Sequence, residues 1–196
     1  MLARVAVLVS GGGTNLQAII DAKEAGKMPH AELALVVADK ESAYALTRAE
    51  NHGIKNQYIP KGQDFEAKLV ALLEEEKIDI IVLAGFLSIL SENFVKAYPK
   101  RILNIHPSLI PSFCGDGFYG LRVHRAALDK GVKVTGATVH FVNEITDGGE
   151  IIAQKAVSVL DGDTPEILQR RVMEEAEWEL LPAATEAVCK TYAEKN

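Results

Sequence analysis

The sequence predicts an α/β fold, a mostly parallel, twisted, Rossmann-like sheet with helices on both faces and an antiparallel strand pair towards the C-terminus. Four short runs, Arg4–Val9, Glu32–Ala38, Ile78–Leu83 and Ile102–Ile105, are nearly continuous Val, Ile, Leu and Ala, as strands buried on both faces are. Stretches of helical spacing lie between them, and that alternation builds βαβ units with right-handed crossovers. The chain has 196 residues, 48% hydrophobic and 24% charged. That is enough to bury one large core without disulfides or metals.

The first strand, Arg4–Val9, runs into Gly11-Gly12-Gly13. A signal peptide would continue to a small-residue cleavage site, so a buried strand is the better reading. Helical spacing follows in Leu16–Glu24, Ala43–Asn51, Asp64–Glu76 and Ser91–Lys96. In the third of these, Phe65, Leu69, Leu72 and Leu73 share one side, and Glu66, Lys68 and Glu75 the other. Gln57–Pro60 reads as one more short strand. After His106 the style changes: Pro107–Gly120 is a loop rich in Pro, Gly and aromatic residues, and Leu121–Lys130 is a short helix. Val134–Val142 and Ile151–Val159 read as two strands joined by a Gly-containing turn, an antiparallel pair at the sheet edge. Thr164 is placed as an N-cap with Pro165 at the first helical position, opening a helix to about Glu179, and Pro182 starts another. No linker or repeat divides the chain. Residues 1–196 are expected to form a single domain, a βαβ half over 1–106 and a second half over 107–196 of loop, antiparallel strands and C-terminal helices.

Composition excludes several classes. Lys and Arg number 21 against 27 Asp and Glu, a formal charge of −6, which argues against a nucleic-acid partner. The longest apolar runs, such as Ile78–Ala84, fall far short of the roughly 20 residues of a membrane span. Cys114 and Cys189 stand far apart, with no CxxC and no His at ligand spacing. They fit a reducing cytoplasm and predict neither a disulfide framework nor a metal site.

Ser10-Gly11-Gly12-Gly13-Thr14-Asn15 joins the first strand to the first helix. Glycines let backbone N–H groups approach an anion, and the helix N-terminus favours one. No Gly-Lys-Ser/Thr follows, so this is not a Walker loop. Leu16 stands where a dinucleotide fingerprint needs its third glycine, although Asp39 after the second strand keeps a nicotinamide reading open. The plain alternative is a tight turn with Thr14 or Asn15 as helix cap. Asn104 and His106, two apart on a strand, point the same way. An amide donor beside an imidazole suits an oxyanion and a moving proton; a strand-end pair bonded to loop backbone is the alternative. Asp147-Gly148 is a hairpin signal, yet a carboxylate near His106 would also favour and orient its imidazolium. His30 and His52 flank turns, and His124 and His140 read as core or supporting residues. Trp178, among glutamates, reads as a packing anchor. The Gly loop, Ala84–Leu90 and Asn104–Ser108 all follow carboxyl ends of strands, where ligands of open α/β sheets bind. They should share one crevice.

In Ser10–Asn15, Leu16-Gln17-Ala18-Ile19-Ile20, Leu83-Ala84-Gly85-Phe86, Leu103–Leu109, Val139–Val142 and Asp147-Gly148-Gly149, the chain resembles the glycinamide ribonucleotide formyltransferases, folate-dependent enzymes of purine synthesis. The matches keep the family's order over nearly the whole chain. The resemblance implies the single-domain formyltransferase fold, with 10-formyltetrahydrofolate as co-substrate and glycinamide ribonucleotide as acceptor. It implies that Gly13, Thr14 and Asn15 hold the ribonucleotide phosphate, and that Leu87, Ser88, Ile89 and Leu90 line the pterin pocket. Asn104 would bind the formyl oxygen, His106 would move the proton and Asp147 would support His106. Lys61 falls near a basic position of the folate site. The resemblance also implies that Glu175 or Glu177 meets the ribose; an apparent one-residue offset leaves the choice between them open. Relatives often have Met-Arg-Ile-Leu where this chain has Leu87-Ser88-Ile89-Leu90, so an arginine for the folate tail is missing. Ser112–Gly120 is longer than in many relatives, and Glu150 stands where proline is common.

Three rival readings fit parts of the pattern. A formyltetrahydrofolate hydrolase would use the same pocket with water as acceptor, but such proteins usually carry an extra N-terminal domain, and strand one here begins at Arg4. A methionyl-tRNA formyltransferase would need a further C-terminal domain and a basic surface. A non-catalytic nucleotide- or folate-binding module would need the Gly loop and apolar wall, but not the convergence of Asn104, His106 and Asp147. The sequence leaves the oligomeric state open, a homodimer included.

Overall fold

Val5, Val7 and Val9 of the first strand face one layer of helices, and Ala6 and Leu8 face the other; all five are buried. Such a strand alternates between two apolar faces and is therefore covered on both sides. The computed structural model, which describes residues 1–195, carries this through the sheet. Its order of elements is β1 (Ala3–Val9), α1 (Thr14–Glu24), β2 (Ala31–Ala38), α2 (Tyr44–Asn51), β3 (Asn56–Tyr58), α3 (Phe65–Glu75) and β4 (Ile80–Leu83). Then come α4 (Glu92–Ala97), β5 (Ile102–His106), α5 (Leu121–Lys130), β6 (Val134–Phe141), β7 (Ile151–Ser158), α6 (Pro165–Val172) and α7 (Trp178–Lys195).

The strands are ordered β3-β2-β1-β4-β5-β6-β7. The first five are mutually parallel, and β6 runs antiparallel to both β5 and β7. One core lies on the side of α1 and α7, where Leu16, Ile19, Ile20, Leu181 and Cys189 cover the valines of β1. The other lies under α3 and α4, built on Leu69, Leu73, Phe94 and Ile102. The chain order reverses between β1 and β4. A crevice opens at such a switch point beyond the strand carboxyl ends, and both Gly13 and Gly85 stand there.

The sequence reading holds for every strand to within two residues. It fails at the C-terminus. No new helix starts at Pro182, which lies inside α7. Proline in a helix interior costs about 3 kcal/mol; here burial of Leu181, Pro182, Ala184 and Cys189 offsets it. The second departure is a five-residue π segment, Met173–Glu177, between α6 and α7. Its i→i+5 bonding delays the helix face by one residue. Leu168 and Val172 face inward, and the next inward residues are Ala176 and Glu177. Thr164 does cap α6, its hydroxyl accepting from the Ile167 N–H, with Pro165 in the first turn.

Candidate active site

The crevice encloses about 660 Å³, within the size range of small-molecule sites. Its polar end comes from the β5–β6 ladder. Asn104 stands directly opposite His140, and His106 opposite Thr138. Residues opposed in a ladder share a face, so the antiparallel turn of β6 adds His140 to the pair read from β5. Asn104 Nδ2 lies 3.2 Å from His140 Nε2. His140 Nδ1 donates to the Phe141 carbonyl at 2.8 Å. In the neutral ring this leaves Nε2 to accept from Asn104, which fixes the asparagine amide with its second N–H free.

Asp147 reaches both imidazoles. Its Oδ2 is 3.4 Å from His106 Nδ1, and its Oδ1 is 3.5 Å from His140 Nε2. The Gly115 N–H donates to Oδ2 at 2.9 Å. Asp147 has φ +54°, and the turn after it is tight. A Cβ on Gly149 would sit 1.7 Å from the Phe141 carbonyl oxygen, so the DGG signal is both a turn and the device that aims the carboxylate. His106 Nε2 donates to the Phe113 carbonyl at 2.9 Å. That loop is held in turn: Ser108 donates to the Ser112 carbonyl at 2.6 Å and Thr138 to the Ser108 carbonyl at 2.7 Å.

Burial pushes the His106 imidazole below its ordinary range; the Asp147 charge and the Phe113 carbonyl oppose this without cancelling it. Burial also pushes the Asp147 carboxyl up, but the His140 ring beside it, the Gly115 N–H it accepts from and the nearby His106 bring it below the usual range. At neutral pH the pair is a neutral ring beside a carboxylate. Because Nε2 is committed to a carbonyl, an incoming proton goes to Nδ1, against Asp147. The arrangement accepts one proton and holds it.

The Gly loop differs from the cap reading. Gly13 itself, at φ +71°, is the N-cap, and neither Thr14 nor Asn15 caps α1. Among the described residues no side chain bonds the first turn of α1, and no acidic residue lies in it, so its N–H groups are open to an anion. Gly13 is a glycine for a further reason: a Cβ would lie 2.7 Å from that of Ala45, so α2 could not approach. Arg48 Nε donates to the Gly12 carbonyl at 2.8 Å and brings a cation to the loop. Thr14 and Asn15 line the crevice. Asn15 Nδ2 donates to Glu177 Oε2 at 2.7 Å, and burial raises the Glu177 carboxyl above its usual range. Glu175 does not reach the crevice; it is exposed and borders a separate depression with Arg170 and Arg171. Glu177, at the end of the π segment, is the one of the two that lines the crevice.

Leu87, Ser88, Ile89 and Leu90 all line the crevice. Lys61 does not. Its Nζ is 3.0 Å from Asp39 Oδ2, and Ser88 Oγ donates to the same oxygen at 2.7 Å. Burial pushes the Asp39 carboxyl up, but bonds from Ser88, Lys61 and Ser10 outweigh it and hold it below the usual range. Asp39 is thus committed inside the protein, which closes the nicotinamide reading.

His124 is fully buried beside the crevice, with neither ring nitrogen hydrogen-bonded among the described residues. Burial, helped by His106, lowers it from 6.5 to about 4. The unfolded chain therefore takes up this proton first, and stability is lost as pH falls from 6.5 towards 4. From pH 7 to pH 5 His124 should cost about 2 kcal/mol. Urea unfolding at the two pH values should show a loss smaller by that amount in His124→Phe; an equal loss in both proteins would refute it.

The profile of the Formyl transferase family matches residues 3–185, a span that takes in every residue lining the crevice. This chain belongs to the formyl transferase family. It is 39% identical over 193 residues to the chloroplastic phosphoribosylglycinamide formyltransferase of Arabidopsis thaliana, covering 95% of this chain and 65% of that protein. The chain thus spans just under two thirds of that relative's length. Among solved formyl transferase structures, glycinamide ribonucleotide transformylase 1 of Symbiobacterium toebii superposes with a TM-score of 0.89 at 40% identity, covering 97% of this chain and 89% of that one. A formyltetrahydrofolate deformylase of Pseudomonas syringae superposes at 0.87 with 26% identity, covering 97% of this chain and 62% of that one. The formyl transferase fold expected from the sequence is the fold found.

Proposed function

We propose that this formyl transferase moves the formyl group of 10-formyltetrahydrofolate to the amine of glycinamide ribonucleotide, giving formylglycinamide ribonucleotide and tetrahydrofolate in purine biosynthesis. The observation that carries the reading is the junction of two half-sites in one crevice. The open first turn of α1 supplies donors for a phosphate, and Asn104, His106 and Asp147 meet a few ångströms apart beside the apolar loop. The names of the plant and Symbiobacterium relatives support it.

The phosphate sits against the backbone of Gly13, Thr14 and Asn15, and Glu177, held by Asn15, faces the ribose. The pterin lies along Leu87–Leu90. The glycinamide nitrogen attacks the formyl carbon, whose carbonyl pair moves onto oxygen. Asn104 donates its free N–H to that oxyanion. His106 Nδ1 takes the proton from the attacking nitrogen, Asp147 stabilises the imidazolium, and the proton passes to the folate nitrogen as its bond to carbon breaks. Oriented hydrogen bonds to developing charge and the joint placement of both reactants supply the acceleration.

The test is release of tetrahydrofolate from 10-formyltetrahydrofolate with and without glycinamide ribonucleotide. Turnover that requires the ribonucleotide supports the transferase. Equal turnover without it makes the protein a hydrolase, the activity named for its Pseudomonas neighbour. No turnover in either leaves a binding module.

A further inference from the structure

The apolar loop Gly85–Leu90 is held by apolar packing at Phe86, buried against Phe65, and at Leu90, but not between them. Leu87 is 54% exposed and Ile89 89% exposed, so the side chains that face a ligand do little to fix the backbone behind them. Polar ties do that instead. The Ser10 N–H donates to the Gly85 carbonyl at 3.1 Å, and Ser10 Oγ accepts from the Leu87 N–H at 2.9 Å. At the far end, Ser91 donates through its N–H and its hydroxyl to Glu66, both at 2.5 Å. Between Phe86 and Leu90 the Ser88 side chain also turns inward. Ser88 Oγ reaches Asp39 Oδ2 at 2.7 Å, and the Asp39 side chain is wholly buried at the end of β2. Lys61 Nζ, 3.0 Å from the same oxygen, supplies the charge that lets a carboxylate stay there.

We propose that Asp39 and Ser88 form a latch that presets the Phe86–Leu90 wall for the pteridine, so that Ser88 is a positioning residue acting through Asp39 and does not itself bind the folate. This rests on the formyl-folate reading of the crevice. A hydroxyl donating to a buried carboxylate is among the stronger protein hydrogen bonds. Cutting it leaves the middle of the loop tied only at its ends. The ordering of Leu87 and Ile89 then falls on the binding step, which weakens affinity. The chemistry at His106 is on a different strand and does not depend on it. The same latch also sets the direction of Lys61. Its ammonium is held over Asp39 at the edge of the loop and does not line the crevice.

The test uses Ser88→Ala and Ser88→Thr in the full chain. Ser88→Ala should raise KM for 10-formyltetrahydrofolate about tenfold, with kcat and KM for the ribonucleotide moving less than about twofold. Ser88→Thr keeps the hydroxyl and should return KM to within about threefold of the parent. A second readout needs no turnover. The Leu87 amide, bonded to Ser10 in the intact loop, should exchange with deuterium about tenfold faster in Ser88→Ala without any ligand. An unchanged KM in Ser88→Ala, a threonine variant as impaired as the alanine, or unchanged Leu87 exchange overturns the latch. A parent protein without turnover would instead overturn the formyl-folate reading, while the exchange comparison would still judge the latch.

Discussion

Replacing His106 with alanine lowers kcat about 10³-fold and leaves KM for each substrate within about threefold. The ring touches both things the reaction needs from it. Its Nε2 is spent on the Phe113 carbonyl, so the only free lone pair is at Nδ1. The Asp147 carboxylate waits 3.4 Å beyond that atom. Burial keeps the ring neutral at neutral pH, so it starts the cycle as a base. Removing it deletes the proposed proton acceptor without touching the α1 turn or the Leu87–Leu90 wall, to which the proposal assigns binding. Steady-state kinetics of the purified variant with both substrates varied would check this. A variant within about tenfold of the parent kcat would remove His106 from the chemistry.

Asp147→Asn is the second large effect, a fall in kcat of about 10²-fold. The amide keeps the shape of the side chain, and its oxygen can still accept from Gly115, so the fold is spared. What is lost is the charge that stabilises the His106 imidazolium. The sign on pH follows directly. Asp147 raises the His106 affinity for a proton; without that charge the ring protonates only at lower pH. The acid limb of the kcat profile, where protonated His106 is inactive, should therefore shift to lower pH in Asp147→Asn while the plateau drops. A limb that moves to higher pH, or a plateau that does not fall, contradicts the assignment.

The sequence makes the parallel half and the Asn104–His106 pair easy to see, because both follow from local periodicity. Strands buried on two faces show as unbroken aliphatic runs, and residues two apart on a strand must share a side. What it hides depends on pairing or on turn geometry. His140 joins Asn104 only because β6 pairs antiparallel with β5 in one register. The alternation of Thr138 and His140 within a predicted strand was the signal available, but not its partner. Asp147 comes within reach through a left-handed residue and a Gly149 pressed against Phe141, which a hairpin motif does not specify. Which of Glu175 and Glu177 lines the crevice depends on a π segment that shifts the inner face by one residue. Pro182 misled because local preference for a helix start lost to the packing around Leu181 and Cys189. That Ser88 and Lys61 both contact the buried Asp39 is visible only once β2 and the loop after β4 are side by side.

The central claim is transfer from folate to an amine within one crevice, and following the formyl carbon tests it most directly. With 10-formyltetrahydrofolate carrying carbon-13 in the formyl group, glycinamide ribonucleotide and the protein, the labelled resonance should move into a formamide on the ribonucleotide. It should do so in step with tetrahydrofolate formation and at the same rate. Label that appears as free formate, or that stays on the folate while the ribonucleotide is unchanged, would contradict the account.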